Sequence, residues 1–199
     1  MPHQNPKQPL RVLLCDEDRG RAALLEQALA DAGYSVIARL VDAENLSAEV
    51  ARHQPDVIII DLDSPDRDTL EQMRTISREQ PRPIVMFAED DDSGTINQAI
   101  KAGVSAYVVD GLSGKRVRPV MEVAIARFRE YQALREELAR TKTSLEERKL
   151  IEQAKGLLMQ HRQMSEQEAY QALRKLAMDQ GRKLPEVARN VIAIMQLLG

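Results

Sequence analysis

Three acidic side chains directly follow two apolar runs of the sequence and could together hold a metal ion. Asp16 and Glu17 come after the run RVLLC, and Asp61 comes after the run VIII. If both runs are strands of one parallel sheet, their carboxyl ends meet at the edge where such sheets bind ligands. Carboxylates brought together repel one another unless a cation joins them, and Mg²⁺ prefers oxygen ligands. The pattern therefore indicates Asp16, Glu17 and Asp61 as ligands of an optional Mg²⁺, with no cofactor required.

The elements that would position these carboxylates alternate along the first half of the chain. Apolar runs occupy residues 11–15, 36–40, 57–60, 84–87 and 106–109, and helical patterns lie at 22–32, 43–53, 68–79 and 94–102. Short strands that alternate with helices predict an α/β, flavodoxin-like domain. Its doubly wound, five-stranded parallel sheet would be covered on both faces, which explains why the runs are continuously apolar.

The two halves of the 199-residue chain carry opposite charge. Residues 1–112 contain 11 Lys/Arg and 20 Asp/Glu, whereas residues 113–199 contain 17 and 11. This asymmetry indicates two modules with different partners. The acidic run Glu89–Asp92 is either a solvated loop or a docking surface. The single cysteine, Cys15, excludes an internal disulfide, and no apolar run suits a membrane span or a signal peptide. We expect a cytoplasmic protein with no membrane partner and a disordered tail at 1–9.

The basic half ends in three helical patterns within residues 147–199. Ser165 and Glu168 have the spacing of a capping box, Gly181 suits a helix stop, and Pro185 suits the start of the third helix. From Arg148 onward there are nine Lys/Arg against five Asp/Glu. A basic helical surface is typical of proteins that bind nucleic-acid phosphates, although an ordinary solvated face has the same composition.

A polar connector, residues 113–146, links the two halves. Tyr131, Leu134, Leu138 and Leu145 follow a heptad spacing that is imperfect at Thr141. Pairing with a second copy would bury this seam, so the spacing favours a homodimer through a parallel coiled coil. Folding of the connector back onto the first half is the alternative.

The C-terminal helices closely resemble the ANTAR domain, a three-helix RNA-binding module of bacterial transcription antiterminators. The resemblance rests on QAKG (153–156) followed by Leu158-Met159, Ala169-Tyr170 with Leu173-Arg174, Ala177-Met178 and Val187-Ala188. It implies a dimeric, non-enzymatic module that binds a pair of short hairpins in a nascent leader RNA and prevents terminator formation.

Within that domain we expect cations to contact phosphates and an aromatic ring to stack on an unpaired base. Tyr170 would provide the ring, unless it belongs to the core. Gly156 indicates close approach of a ligand to the helix backbone or tight helix packing, since an interior glycine costs about 1 kcal/mol relative to alanine. The candidate RNA contacts are Lys149, Lys155, Tyr170, Arg174, Lys175, Arg182 and Arg189.

Residues 10–112 resemble the receiver domain of two-component response regulators. Asp61 falls at the phosphoacceptor position, Asp16 and Glu17 at the acidic pair that helps to hold Mg²⁺, and Pro65 also fits. Receivers place Ser or Thr after the fourth strand and Lys after the fifth, where this chain has Ala88 and Asp110. These departures favour a degenerate receiver that serves as a protein-binding surface.

With the runs IVMFAEDDD (84–92) and AYVVDGL (106–112), the whole arrangement resembles ANTAR response regulators of the NasT (nitrate assimilation) group and, less closely, AmiR. The resemblance implies an antiterminator of nitrate or nitrite assimilation genes, held inactive by a ligand-sensing partner protein. One alternative is a regulator with the same RNA output that phosphorylation of Asp61 switches. A second is a DNA-binding transcription factor, which the third helix disfavours because Arg189, Asn190 and Gln196 are its only candidates for base contacts.

Overall fold

The computed structural model describes residues 9–109 and 114–198, except for the side chains of 114, 115 and 198. It divides the chain into two compact units, Met1–Gln132 and Ala133–Gly199. Almost all of the predicted tail (1–9) lies outside the described residues. No helix of the described chain is both long and apolar enough to cross a bilayer.

The N-terminal unit contains the predicted five-stranded parallel sheet. Its strand order is β2-β1-β3-β4-β5, and every neighbouring pair is parallel. Each apolar run of the sequence forms a strand, because its side chains are buried from both faces of the sheet. The strands are β1 (Leu10–Asp16), β2 (Tyr34–Leu40), β3 (Val57–Asp61), β4 (Ile84–Ala88) and β5 (Ala106–Val109).

Helices cover both faces of this sheet, as predicted. Successive β1 residues, Leu13 and Leu14, point into different apolar clusters. The first cluster contains helix residues such as Met73, and the second contains residues such as Leu25 and Met121. The helices of this unit are α1 (Arg19–Asp31), α2 (Leu46–His53), α3 (Arg67–Glu79), α4 (Ser93–Lys101) and the first part of α5 (Gly114–Arg162).

Two members of the acidic run 89–92 have structural roles. Asp92 caps helix α4 by accepting the backbone N–H of Thr95 at 2.9 Å. Asp90 accepts the backbone N–H of Asp92 and the hydroxyl of Ser64. The bonds to Asp90 lower its pKa. Local structure thus accounts for two of the four acidic residues of the run, with no need of a docked partner protein.

The C-terminal unit packs the end of α5 against α6 (Glu166–Gln180) and α7 (Leu184–Leu198). Its core includes Ala154, Leu173 and Val187, one from each helix. The predicted capping box of Ser165 and Glu168 is present at the start of α6. Gly181 ends α6 at φ 61°, in the left-handed conformation that glycine adopts without strain.

Helix α5 is a single element of 49 residues. It combines the last helix of the N-terminal unit, the described part (114–146) of the predicted connector (113–146) and the first of the three C-terminal helices. The sequence has no glycine or proline between Pro119 and Gly156. Pro119 lies near the start of the helix and removes a single backbone hydrogen bond.

Candidate functional site

The carboxyl ends of β1 and β3 bring two buried carboxylates together. Asp16 and Asp61 are paired residues in the register of these strands, and only 1% and 4% of them are exposed. This confirms the predicted convergence of these two residues. Glu17, the third predicted ligand, is exposed instead and lies one residue beyond the end of β1.

Arg21 provides the positive charge of this crevice. Its Nη2 lies 3.1 Å from Asp16 Oδ1, and its Nε lies 3.3 Å from Asp61 Oδ2. Its Nη1 is also 3.7 Å from Asp63 Oδ1. The cap of α1 positions this side chain, since Asp18 accepts the backbone N–H groups of Gly20 and Arg21. Sequence reasoning missed Arg21, although an arginine five residues after Asp16 and in the first turn of the next helix was a usable signal.

The crevice nevertheless leaves carboxylate oxygens unsatisfied. Asp16 Oδ2 and Asp61 Oδ2 are buried and accept no hydrogen bond from the described residues, although Asp61 Oδ2 forms the ion pair with Arg21 Nε. Burial raises the pKa of Asp61 to about 6; Arg21 opposes this rise, and Asp16 and Asp63 add to it. Asp61 is therefore a carboxylate that a cation or a proton would stabilise.

The described residues do not form a ready magnesium site. They contain no group of three or more His, Cys, Asp or Glu side chains that could hold a metal ion. Two buried carboxylates suit a cation, but the guanidinium of Arg21 already forms ion pairs with both of them. The proposed ligand set of Asp16, Glu17 and Asp61 is thus not assembled in this structure.

In the C-terminal unit, Lys155 has a structural role rather than a place on an open cationic surface. Its Nζ lies 2.9 Å from Glu152 Oε2 and 2.7 Å from Glu166 Oε1. These hydrogen bonds, chiefly the one to Glu166, raise the pKa of Lys155. The residue is buried and links α5 to the start of α6. These two ion pairs and the low exposure make Lys155 less available to RNA than the other candidates, and its role as an RNA contact stays a prediction.

The other six candidate contacts are exposed. Tyr170 shows 43% of its surface, which excludes the core alternative for its ring. Tyr170 and Arg174 are one helical turn apart on α6, so they lie on one stripe beside the buried stripe of Ala169 and Leu173. Arg182 lines a groove between α6 and α7. The five cations among these candidates form no ion pair with a described acidic group; they are Lys149, Arg174, Lys175, Arg182 and Arg189.

Gly156 faces open space. A Cβ built on it would meet no atom within 4 Å among the described residues. Tight packing of helices within the described chain therefore does not explain why a glycine occupies this position. Close approach of an external molecule to the helix backbone is the interpretation that remains.

The predicted dimer seam is exposed along α5. Tyr131, Leu134, Leu138 and Leu145 expose 58%, 65%, 56% and 54% of their surfaces. Exposed leucines at heptad spacing keep the coiled-coil prediction open, since apolar side chains in this pattern are stabilised by a second helix.

Two known domain families match the sequence of this chain, one in each of its two units. The model of the response regulator receiver domain matches residues 12–118, and the model of the ANTAR domain matches residues 139–192. The transcriptional regulatory protein PdtaR of Mycobacterium tuberculosis is 32% identical over 184 residues, which are 92% of this chain and 90% of PdtaR. The chain belongs to the response regulators with an ANTAR domain. We therefore call its units the receiver domain and the ANTAR domain.

Two further similarities are more limited. The nitrate regulatory protein of Klebsiella oxytoca is 48% identical over 68 residues, which are 34% of this chain but only 17% of that protein. A signal receiver domain of a diguanylate cyclase from Desulfovibrio desulfuricans superposes with a TM-score of 0.54 at 20% identity. It covers 62% of this chain and 98% of the receiver structure, and at this identity it shows the fold alone.

The receiver domain departs from its family at the end of β4. Ala88 is buried there and has no hydroxyl to donate to a phosphoryl group. The nearby Tyr107 hydroxyl donates to the backbone carbonyl of Asp90 at 2.8 Å, which holds its ring in place. Asp110, at the position where receivers carry Lys, lies outside the described residues.

Proposed function

We propose that this response regulator is a transcription antiterminator that binds two hairpins of a nascent leader RNA through its ANTAR domain. The observation that carries the proposal is the exposed stripe of Tyr170 and Arg174 on α6 of a domain that matches the ANTAR model. An exposed ring next to a cation that no described group neutralises can stack on an unpaired base while the cation contacts phosphate.

Pairing of two copies through α5 supports recognition of two hairpins. Each copy carries one ANTAR domain, so a dimer joined at Leu134, Leu138 and Leu145 presents two RNA-binding surfaces. Binding of the first hairpin raises the effective concentration of the second, which increases affinity without any new contact.

A partner protein, rather than phosphorylation, controls the RNA output in this proposal. The end of β4 carries Ala88, and the guanidinium of Arg21 lies in the carboxylate crevice. Both features weaken the conformational response of a receiver domain to an acyl phosphate at Asp61. Control by a nitrate- or nitrite-sensing protein is supported by the 68-residue similarity to the nitrate regulatory protein.

RNA binding can be tested with two linked hairpins selected from a library with randomised loops. Tyr170→Ala is expected to weaken binding by about 1–3 kcal/mol, which is the contribution of one stacked base. Arg174→Ala should lower the slope of log affinity against log salt by about 1, since it removes one phosphate contact. Arg129→Ala, an equal loss of charge on an exposed receiver residue, is the control. Unchanged binding by both ANTAR variants, or preference for duplex DNA over the hairpins, would reject the proposal.

Phosphorylation of Asp61 is the second candidate for the event that controls RNA binding, because Asp16 and Asp61 still meet at the sheet edge. It predicts that a small-molecule phosphodonor increases dimerisation and that Asp61→Ala abolishes this increase. Sedimentation of both proteins with and without the donor distinguishes it from control by a partner.

A further inference from the structure

We propose that Arg21 is a built-in cation of the receiver crevice, which occupies the place of a divalent metal ion and keeps Mg²⁺ out until the guanidinium moves away. This inference concerns the receiver domain alone and holds whatever the ANTAR domain binds.

Geometry is the first support. One guanidinium reaches three aspartates, with its nitrogens 3.1 Å from Asp16, 3.3 Å from Asp61 and 3.7 Å from Asp63. Its Nε and Nη2 also donate hydrogen bonds to Asp16 Oδ1 at 3.3 Å and 3.1 Å. The cation thus joins the ends of β1 and β3 at the point where the carboxylates converge.

A guanidinium and Mg²⁺ cannot share this position. Mg²⁺ requires oxygen ligands at about 2.0–2.1 Å in an octahedral arrangement and keeps several waters. That hydrated ion needs the same faces of Asp16 and Asp61 that Arg21 now covers. Binding of the metal ion is therefore coupled to departure of the side chain, and the two cations compete.

The competition is reversible because Arg21 is not fully buried and does not satisfy every carboxylate oxygen of the crevice. Its side chain is 36% exposed, so the guanidinium has a path to solvent. It also leaves Asp16 Oδ2 without a hydrogen bond, and Asp61 Oδ2 has only the ion pair with Arg21 Nε at 3.3 Å. A single positive charge offsets the carboxylates only in part, so removal of Arg21 should create a site that a divalent ion stabilises more strongly.

Metal binding to the full-length protein tests this inference, with Mg²⁺ followed by calorimetry and Mn²⁺ by loss of its free-ion paramagnetic resonance signal. Arg21→Gln keeps a side chain of comparable length without the charge. The control Arg19→Gln makes the same charge change on an exposed residue of the same helix. We expect Arg21→Gln to bind both ions at least about tenfold more tightly than the wild type, and Arg19→Gln to behave as the wild type. Equal affinity of Arg21→Gln and wild type, or an equal gain in the control, would overturn the proposal.

Thermal unfolding provides a second measurement that does not depend on the binding signal. A ligand that binds only the folded protein raises its melting temperature, and at a given ligand concentration the rise is larger when the ligand binds more tightly. Mg²⁺ should raise the melting temperature of Arg21→Gln more than that of the wild type, and adding Asp16→Asn to Arg21→Gln should cancel the difference. If Mg²⁺ raises the melting temperature of the double variant as much as that of Arg21→Gln, the ion binds elsewhere and Arg21 does not exclude it from the crevice.

Discussion

Replacement of Gly156 by alanine should stabilise the ANTAR domain and weaken its RNA binding at the same time. Gly156 lies within helix α5, where glycine has the lower intrinsic preference for the helical conformation. Alanine at this position should gain about 1 kcal/mol of helix stability because it restricts the unfolded chain. No steric cost offsets this gain, since an added Cβ meets no described atom within 4 Å.

RNA affinity should change in the opposite direction. If Gly156 allows a ligand to approach the backbone of α5, the new methyl group occupies that space. We expect affinity for the selected two-hairpin RNA to fall by at least about tenfold, or about 1.4 kcal/mol. Urea unfolding followed by circular dichroism measures the first effect, and fluorescence anisotropy of labelled RNA measures the second.

Gly181→Ala is the matched control for the stability measurement. Gly181 has φ 61°, so alanine there is forced into the left-handed conformation and should cost about 1–2 kcal/mol. The same chemical change thus has opposite signs at the two glycines. A destabilised Gly156→Ala would refute the open environment described for α5, and a stabilised variant with unchanged RNA affinity would refute close approach of the ligand.

Four further predictions concern other sites of the chain. Lys155→Ala should lower the melting temperature of the ANTAR domain, because Glu152 and Glu166 lose their cation. Lys175→Ala should instead weaken RNA binding and leave the melting temperature unchanged. The reverse result would show that Lys155 contacts RNA. Burial raises the pKa of Cys15 to about 12, so a thiol reagent at neutral pH should modify it only after unfolding, and rapid labelling of the folded protein would contradict this. Asp61 has a pKa of about 6 in the folded state against an ordinary 3.8, so the folded state binds this proton more tightly than the unfolded state. The free energy of unfolding should therefore fall by at most about 3 kcal/mol as the pH rises from 3.8 to 6. Urea unfolding at several pH values should show a smaller fall for Asp61→Asn. Leu138→Asp should shift the sedimentation of a dimer to that of a monomer, and a wild type that is monomeric at every concentration would exclude the coiled coil.

Local sequence signals were sufficient for the strands and for the order of the elements, but not for the continuity of α5, which joins the connector to the helices on either side. The apolar runs become strands because residues buried on both faces must be continuously apolar. The Ser165 capping box and the Gly181 stop depend on residues three or fewer positions from the helix end, so the sequence could predict them. The meeting of Asp16 and Asp61 followed from the rule that parallel strands share their carboxyl edge.

What the amino-acid sequence by itself determined was therefore the receiver sheet, the three C-terminal helices and the two modules of opposite charge. Only the tertiary structure decided which charges are free to act, because an ion pair depends on distances between residues far apart in the chain. Lys155 carries the same charge as Lys175, yet Glu166 on the next helix neutralises it. In the same way, the guanidinium of Arg21 reaches Asp61, forty positions away in the chain, only because β1 and β3 are neighbours in the folded sheet.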